Sequence, residues 1–73
     1  MNKVIFTTGS MTMAQKGKKV LASSSVDSVI VNLDSSRTKR GCAYGIEVFQ
    51  KDYFRAQSIL DQKGIIYSEI IKA

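Results

Sequence analysis

Cys42 is the side chain of this sequence whose type and setting best suit covalent chemistry. It closes the run Arg37-Thr38-Lys39-Arg40-Gly41-Cys42. A thiolate, not a thiol, is the nucleophile, and nearby cations favour it. Arg37, Lys39 and Arg40 all stand within a few residues of the sulfur. Gly41 leaves the backbone free to turn sharply and to expose its N–H groups. A thiol at a loop edge beside these cations is accessible and easily ionised. A second reading stands next to this one: a lone cysteine at the start of a strand also serves as a small buried hydrophobe.

The rest of the composition narrows the chemistry. The chain has no histidine and one cysteine. His-dependent triads, His metal ligands and cysteine-rich zinc sites are therefore excluded, and so is an internal disulfide. No general base stands out for a self-sufficient cysteine hydrolase. The sulfur is better suited to receive, hold and pass on a group. No cofactor is expected. A single unpaired cysteine points to a reducing compartment, the cytoplasm. The N-terminal apolar run Val4-Ile5-Phe6 is too short for a signal-peptide core, and no stretch approaches the ~20 apolar residues of a membrane helix.

Lys plus Arg total 11 and Asp plus Glu total 6, a formal net charge of +5. Such an excess favours acidic partners, although it also serves solubility alone. Lys16, Lys18 and Lys19 form a basic cluster that is either a solvated helix face or a dock for an acidic protein. Nucleic acid is not the expected partner. The sequence lacks the Arg/Lys-Gly-Phe/Tyr-Gly/Ala-Phe pattern of RNA-recognition domains, and its few aromatics are needed for packing.

The elements that must position Cys42 follow from periodicity. Lys3 to Thr8 alternates as a strand, with Val4 and Phe6 on one face and Ile5 and Thr7 on the other. Ser10 is set to cap a helix from Met11 to about Ser24, whose stripe is Met13, Gly17, Val20, Leu21 and Ser24. Gly17 costs helix stability but lets the helix approach a sheet closely. Val26 to Leu33 reads as a strand, and Asp34 to Gly41 as a polar basic loop. Cys42 to Phe49 resumes a strand, with Tyr44, Ile46 and Val48 on one face. Asp52 to about Lys63 is a second helix with the stripe Tyr53, Ala56, Ile59, Leu60 and Lys63, closed by Gly64. Ile65 to Ile71 is the last strand, and its exposed edge invites pairing with a second copy. One domain spanning 1–73 is expected. The order β-α-β-β-α-β predicts an α+β ferredoxin-like sandwich: a four-stranded antiparallel sheet with two helices on one face.

The sequence resembles a family of small putative selenium/sulfur carrier-like proteins, a domain of unknown function with a single cysteine. The segments that carry the resemblance are Phe6-Thr7-Thr8-Gly9-Ser10, Met13-Ala14, Ser36-Arg37, Arg40-Gly41-Cys42-Ala43-Tyr44-Gly45-Ile46, and the final helix and strand, Asp52 to Ile71. It departs from the family at Ser36, which stands for a proline, and at Ala43, which stands for a glycine. Gly9-Ser10-Met11 replaces an acidic or His-containing turn. The resemblance implies a persulfide or selenopersulfide on Cys42, loaded by a protein donor and passed to a protein acceptor. Arg37, Lys39, Arg40 and Gly41 would then form the binding surroundings. The alternative is a small interaction or regulatory domain with a structural cysteine.

Overall fold

The computed structural model describes residues 2–33 and 43–72. Four strands and two helices follow the expected order. They are β1 (Lys3–Thr8), α1 (Met11–Ser23), β2 (Ser28–Leu33), β3 (Ala43–Phe49), α2 (Tyr53–Gln62) and β4 (Ile70–Lys72). A 3-10 turn over Gln50–Asp52 leads into α2. The strand order is β2-β3-β1-β4, and every neighbouring pair is antiparallel. This is the split βαβ arrangement of a ferredoxin-like sandwich.

Both helices pack on the sheet face that carries Val4, Phe6, Ile46 and Val48. Ala14 and Leu21 of α1 and Ala56 and Leu60 of α2 complete that core. Gly17 is the point of closest approach: an added Cβ would run into Ile46 Cδ1 and touch Leu60 and Ile65 at 3.4 Å. The helix therefore tolerates the poor propensity of glycine in exchange for contact with the sheet. The other sheet face carries Ile5, Val31 and Leu33 alongside Lys3, Thr7 and Glu47. Ile5 is fully buried there, its side chain closing over Gly45 from one side while Val31 and Leu33 close from the other. A Cβ at Gly45 would collide with Ile5. No helix among the described residues is long and apolar enough to cross a membrane.

Two strand boundaries differ from the sequence reading for one shared reason. Strand β2 starts at Ser28 rather than Val26, and β4 at Ile70 rather than Ile65. At the end of α2, Gly64 adopts φ +71°, its N–H donates to the Asp61 carbonyl, and the Ile65 N–H donates to Leu60. At the end of α1, Ser25 adopts φ 63°, its N–H donates to Ala22, and the Val26 N–H donates to Leu21. Both ends are Schellman motifs, in which the residue after the left-handed position folds back onto the helix. Val26 and Ile65 are buried in these stops and do not extend as strand.

Ser25 holds a conformation that costs an L-residue about 1–2 kcal/mol. Glycine there avoids the cost but gains freedom in the unfolded chain. Ser25→Gly is expected to stabilise the fold by about 0.5–1 kcal/mol net. A rise in the urea midpoint at unchanged slope checks it; a fall would show that the side chain relieves the strain by another route.

The segment before β4 joins the sheet through a bulge. Thr7 N–H donates to the Glu69 carbonyl, while the Ser68 N–H donates to the Thr7 carbonyl. Ser68 and Glu69 thus both face Thr7, one residue more than a regular ladder allows. The Thr7 hydroxyl completes the bulge: it accepts from the Glu69 N–H at 2.8 Å and donates to the Glu69 carbonyl at 2.7 Å.

Candidate functional site

Register fixes where the Cys42 segment is attached. Leu33 pairs with Ala43, Asn32 with Tyr44, and Thr8 with Tyr44 on the other side. The connection 34–42 therefore leaves and re-enters the sheet at the end where β1 finishes and α1 begins. Ser10 caps α1 there, its hydroxyl accepting from the Met13 N–H at 3.1 Å. The first turn of α1 carries no acidic residue. The partial positive charge of a helix N-terminus is consequently not neutralised by a carboxylate of that turn.

Thr8 ties these pieces together. It is 1% exposed, and its hydroxyl faces the Ser10 carbonyl at 3.0 Å and the Tyr44 carbonyl at 3.3 Å. The cap of α1 and the strand residue two places after Cys42 are thereby held by one side chain. The sequence reading saw Thr8 only as the end of a strand and the start of a turn. The available signal was a threonine at an inward-facing strand position, where a hydroxyl needs a partner.

Arg37, Lys39, Arg40, Gly41 and Cys42 lie outside the described residues. The two residues that flank their segment, Leu33 and Ala43, are paired across β2 and β3. Among the described residues, no group of three His, Cys, Asp or Glu side chains could hold a metal ion.

Two further surface features stand away from that segment. At the opposite end of the sheet, Lys3, Asp27, Ser28, Val29, Glu47 and Phe49 line a small cleft. Lys3 Nζ lies 3.5 Å from Glu47 Oε1 and 5.6 Å from the centre of the Phe49 ring, which Lys51 approaches at 5.9 Å. Exposed lysines over a ring contribute modestly. On the helix side, Tyr67 donates to Asp61 Oδ1 at 3.0 Å, and desolvation by burial is the first cause that raises its phenol above the ordinary range. Neither feature adds a nucleophile.

Comparison with known proteins adds no assignment. No family model, curated protein or solved structure matches this chain. The site must be argued from its own chemistry.

Proposed function

We propose that this protein carries a sulfane sulfur or selenium atom on Cys42 and delivers it to a protein acceptor. The observation that supports this reading is where the 34–42 connection joins the sheet, between Leu33 of β2 and Ala43 of β3. Cys42 directly precedes β3 in the sequence, and that connection joins the sheet at the end where β1 finishes and α1 begins. A helix N-terminus and neighbouring cations both favour a thiolate. Arg37, Lys39 and Arg40 supply those cations in the sequence, and Gly41 adds backbone freedom next to the sulfur. With no histidine in the chain, hydrolysis through a Cys-His pair has no candidate base. Holding and transferring a group needs only the activated sulfur and a docked partner.

Loading is a thiol exchange. The Cys42 thiolate attacks the terminal sulfur of a donor persulfide, R–S–SH. The donor S–S bond breaks as the new one forms, giving Cys42–S–SH and the donor thiolate, with no external oxidant or reductant. Delivery repeats the exchange toward an acceptor thiolate.

The rate of iodoacetamide alkylation across pH 5 to 9 tests the activation of Cys42. A fast reaction with a midpoint below the ordinary thiol value of about 8.5 is expected. A slow reaction released only by denaturant would make the cysteine a core residue. The alternative, an interaction or regulatory domain with a structural cysteine, would then replace the carrier reading.

A further inference from the structure

The two edges of the sheet are built differently. Strand β4 is short, ends in Lys72 and is preceded by the Ser68–Glu69 bulge. Shortness, a lysine and a bulge are the usual protections of an edge. Strand β2 has none of them. It runs six residues, Ser28-Val29-Ile30-Val31-Asn32-Leu33, in unbroken register with β3. It contains no charge and no proline, and Val29 is 50% exposed. One row of its backbone groups faces away from β3, because β2 is an outer strand among the described residues.

Beside this edge lies a groove lined by Gln15, Lys18, Lys19, Ala22 and Ile30. Helix α1 carries Lys16, Lys18 and Lys19 and no acidic residue. We infer that the β2 edge and the α1 lysines together form a docking site for an extended acidic segment of a partner protein, added antiparallel as an outer strand. In this mode main-chain hydrogen bonds supply affinity, and side chains beside the edge supply selectivity.

Charge selects this occupant. A second copy pairing antiparallel through β2 would bring its own α1 to the same sheet face. The lysines of the two helices would then meet across the symmetry axis, and like charges in apposition are unfavourable. Glutamate or aspartate side chains on an added strand would instead neutralise Lys18 and Lys19. Single-stranded nucleic acid is the poorer fit, since neither α1 nor β2 offers an aromatic ring for bases to stack on.

The test uses a fluorescent octapeptide of alternating glutamate and valine, titrated by anisotropy, with amide chemical shifts followed in parallel. Saturable binding is expected, with shift changes concentrated on Ser28 to Leu33. The double substitution Lys18→Glu, Lys19→Glu should weaken binding about tenfold or more. Both lysines are exposed, so the variant is expected to keep the fold, which circular dichroism checks. A lysine–valine octapeptide should not bind. Protein carrying Cys42→Ser should bind as well as the parent, because the inference does not depend on the thiol. The proposal is overturned if binding is absent, if charge reversal leaves affinity unchanged, or if the shifts map away from β2. Self-association through this edge, or tighter binding of an oligouridylate in the same buffer, would also overturn it.

Discussion

Protein carrying Cys42→Ser is expected to take up no sulfane sulfur from a persulfide donor, while the parent gains the mass of one sulfur atom per chain. The effect is complete because the chain has one cysteine, so no second thiol can stand in. A serine hydroxyl stays protonated near neutral pH and cannot carry out the exchange. Intact-mass spectrometry after exposure to glutathione persulfide reads the loading. Cyanolysis, which releases sulfane sulfur as thiocyanate, confirms its form. Uptake by the serine variant would place the sulfur elsewhere and end the carrier reading.

The cations allow a graded form of the same experiment. Arg37→Ala, Lys39→Ala and Arg40→Ala together should move the alkylation midpoint back toward the ordinary thiol value. Solvent-screened charges contribute about 0.2–1 kcal/mol each, and a helix N-terminus about 0.3–1 kcal/mol. Depression of the midpoint by about one to two pH units is therefore within reach. Added salt should weaken the contribution of the cations, since screening acts on exposed charges. A midpoint insensitive to both the substitutions and the salt would assign no role to Arg37, Lys39 or Arg40.

The docking site at β2 and the thiol share one stretch of chain. Leu33 ends β2, and the Cys42 connection follows it directly. An acidic strand added antiparallel to β2 would run away from that connection along the same edge. A partner held there would have its neighbouring residues near the sheet end at which residues 34–42 are attached. The two proposals remain separable, because the peptide titration reads β2 and the persulfide assay reads sulfur.

Much of the fold was legible because local signals agreed with the global arrangement. Ser10 caps α1 and Gly64 follows α2, as their side-chain chemistry demands. The alternation Val4/Phe6 and Tyr44/Ile46/Val48 falls on the helix-bearing face. The order β-α-β-β-α-β then leaves few ways to pair four strands. The errors came from β-branched residues with a different task. Val26 and Ile65 look like strand residues by type, yet each closes a helix stop and turns inward. Ser25 hid the first of these stops, since a left-handed serine has no clear sequence mark. Ala14 is buried on α1, one position from the Met13 at which the periodicity starts its stripe. The candidate site was legible only as a composition: a thiol, three cations and a glycine in one run. Their mutual geometry lies outside the described residues, and the sequence marks Thr8 as an inward hydroxyl in need of a partner while only the Thr8–Tyr44 register names that partner.

The largest stability loss is expected at Phe6. This side chain is fully buried on β1, one of the two interior strands. Its ring stacks on Tyr53 of α2 at 5.8 Å between centroids and meets Tyr67 edge-on at 5.1 Å. It therefore links the sheet, the second helix and the segment that leads to β4. Phenylalanine to alanine in a core costs about 3–5 kcal/mol, the lost transfer energy plus the cavity left behind. Aromatic pairing adds about 0.5–1.5 kcal/mol per pair beyond burial. A domain of 73 residues has a total of roughly 4–11 kcal/mol to lose. Phe6→Ala is thus expected to remove most of the cooperative transition. Phe54 is the matched control: it is adjacent to Tyr53 and also aromatic, but 80% exposed. Phe54→Ala should change stability by no more than about 0.5 kcal/mol. Urea denaturation followed by far-ultraviolet circular dichroism measures both. Equal losses at the two positions would mean that Phe54 is covered in solution, which would direct attention to the outer face of α2 as a contact surface. A large loss at Phe6 alone would establish the three-ring cluster as the element that fixes α2 and the approach to β4 onto the sheet.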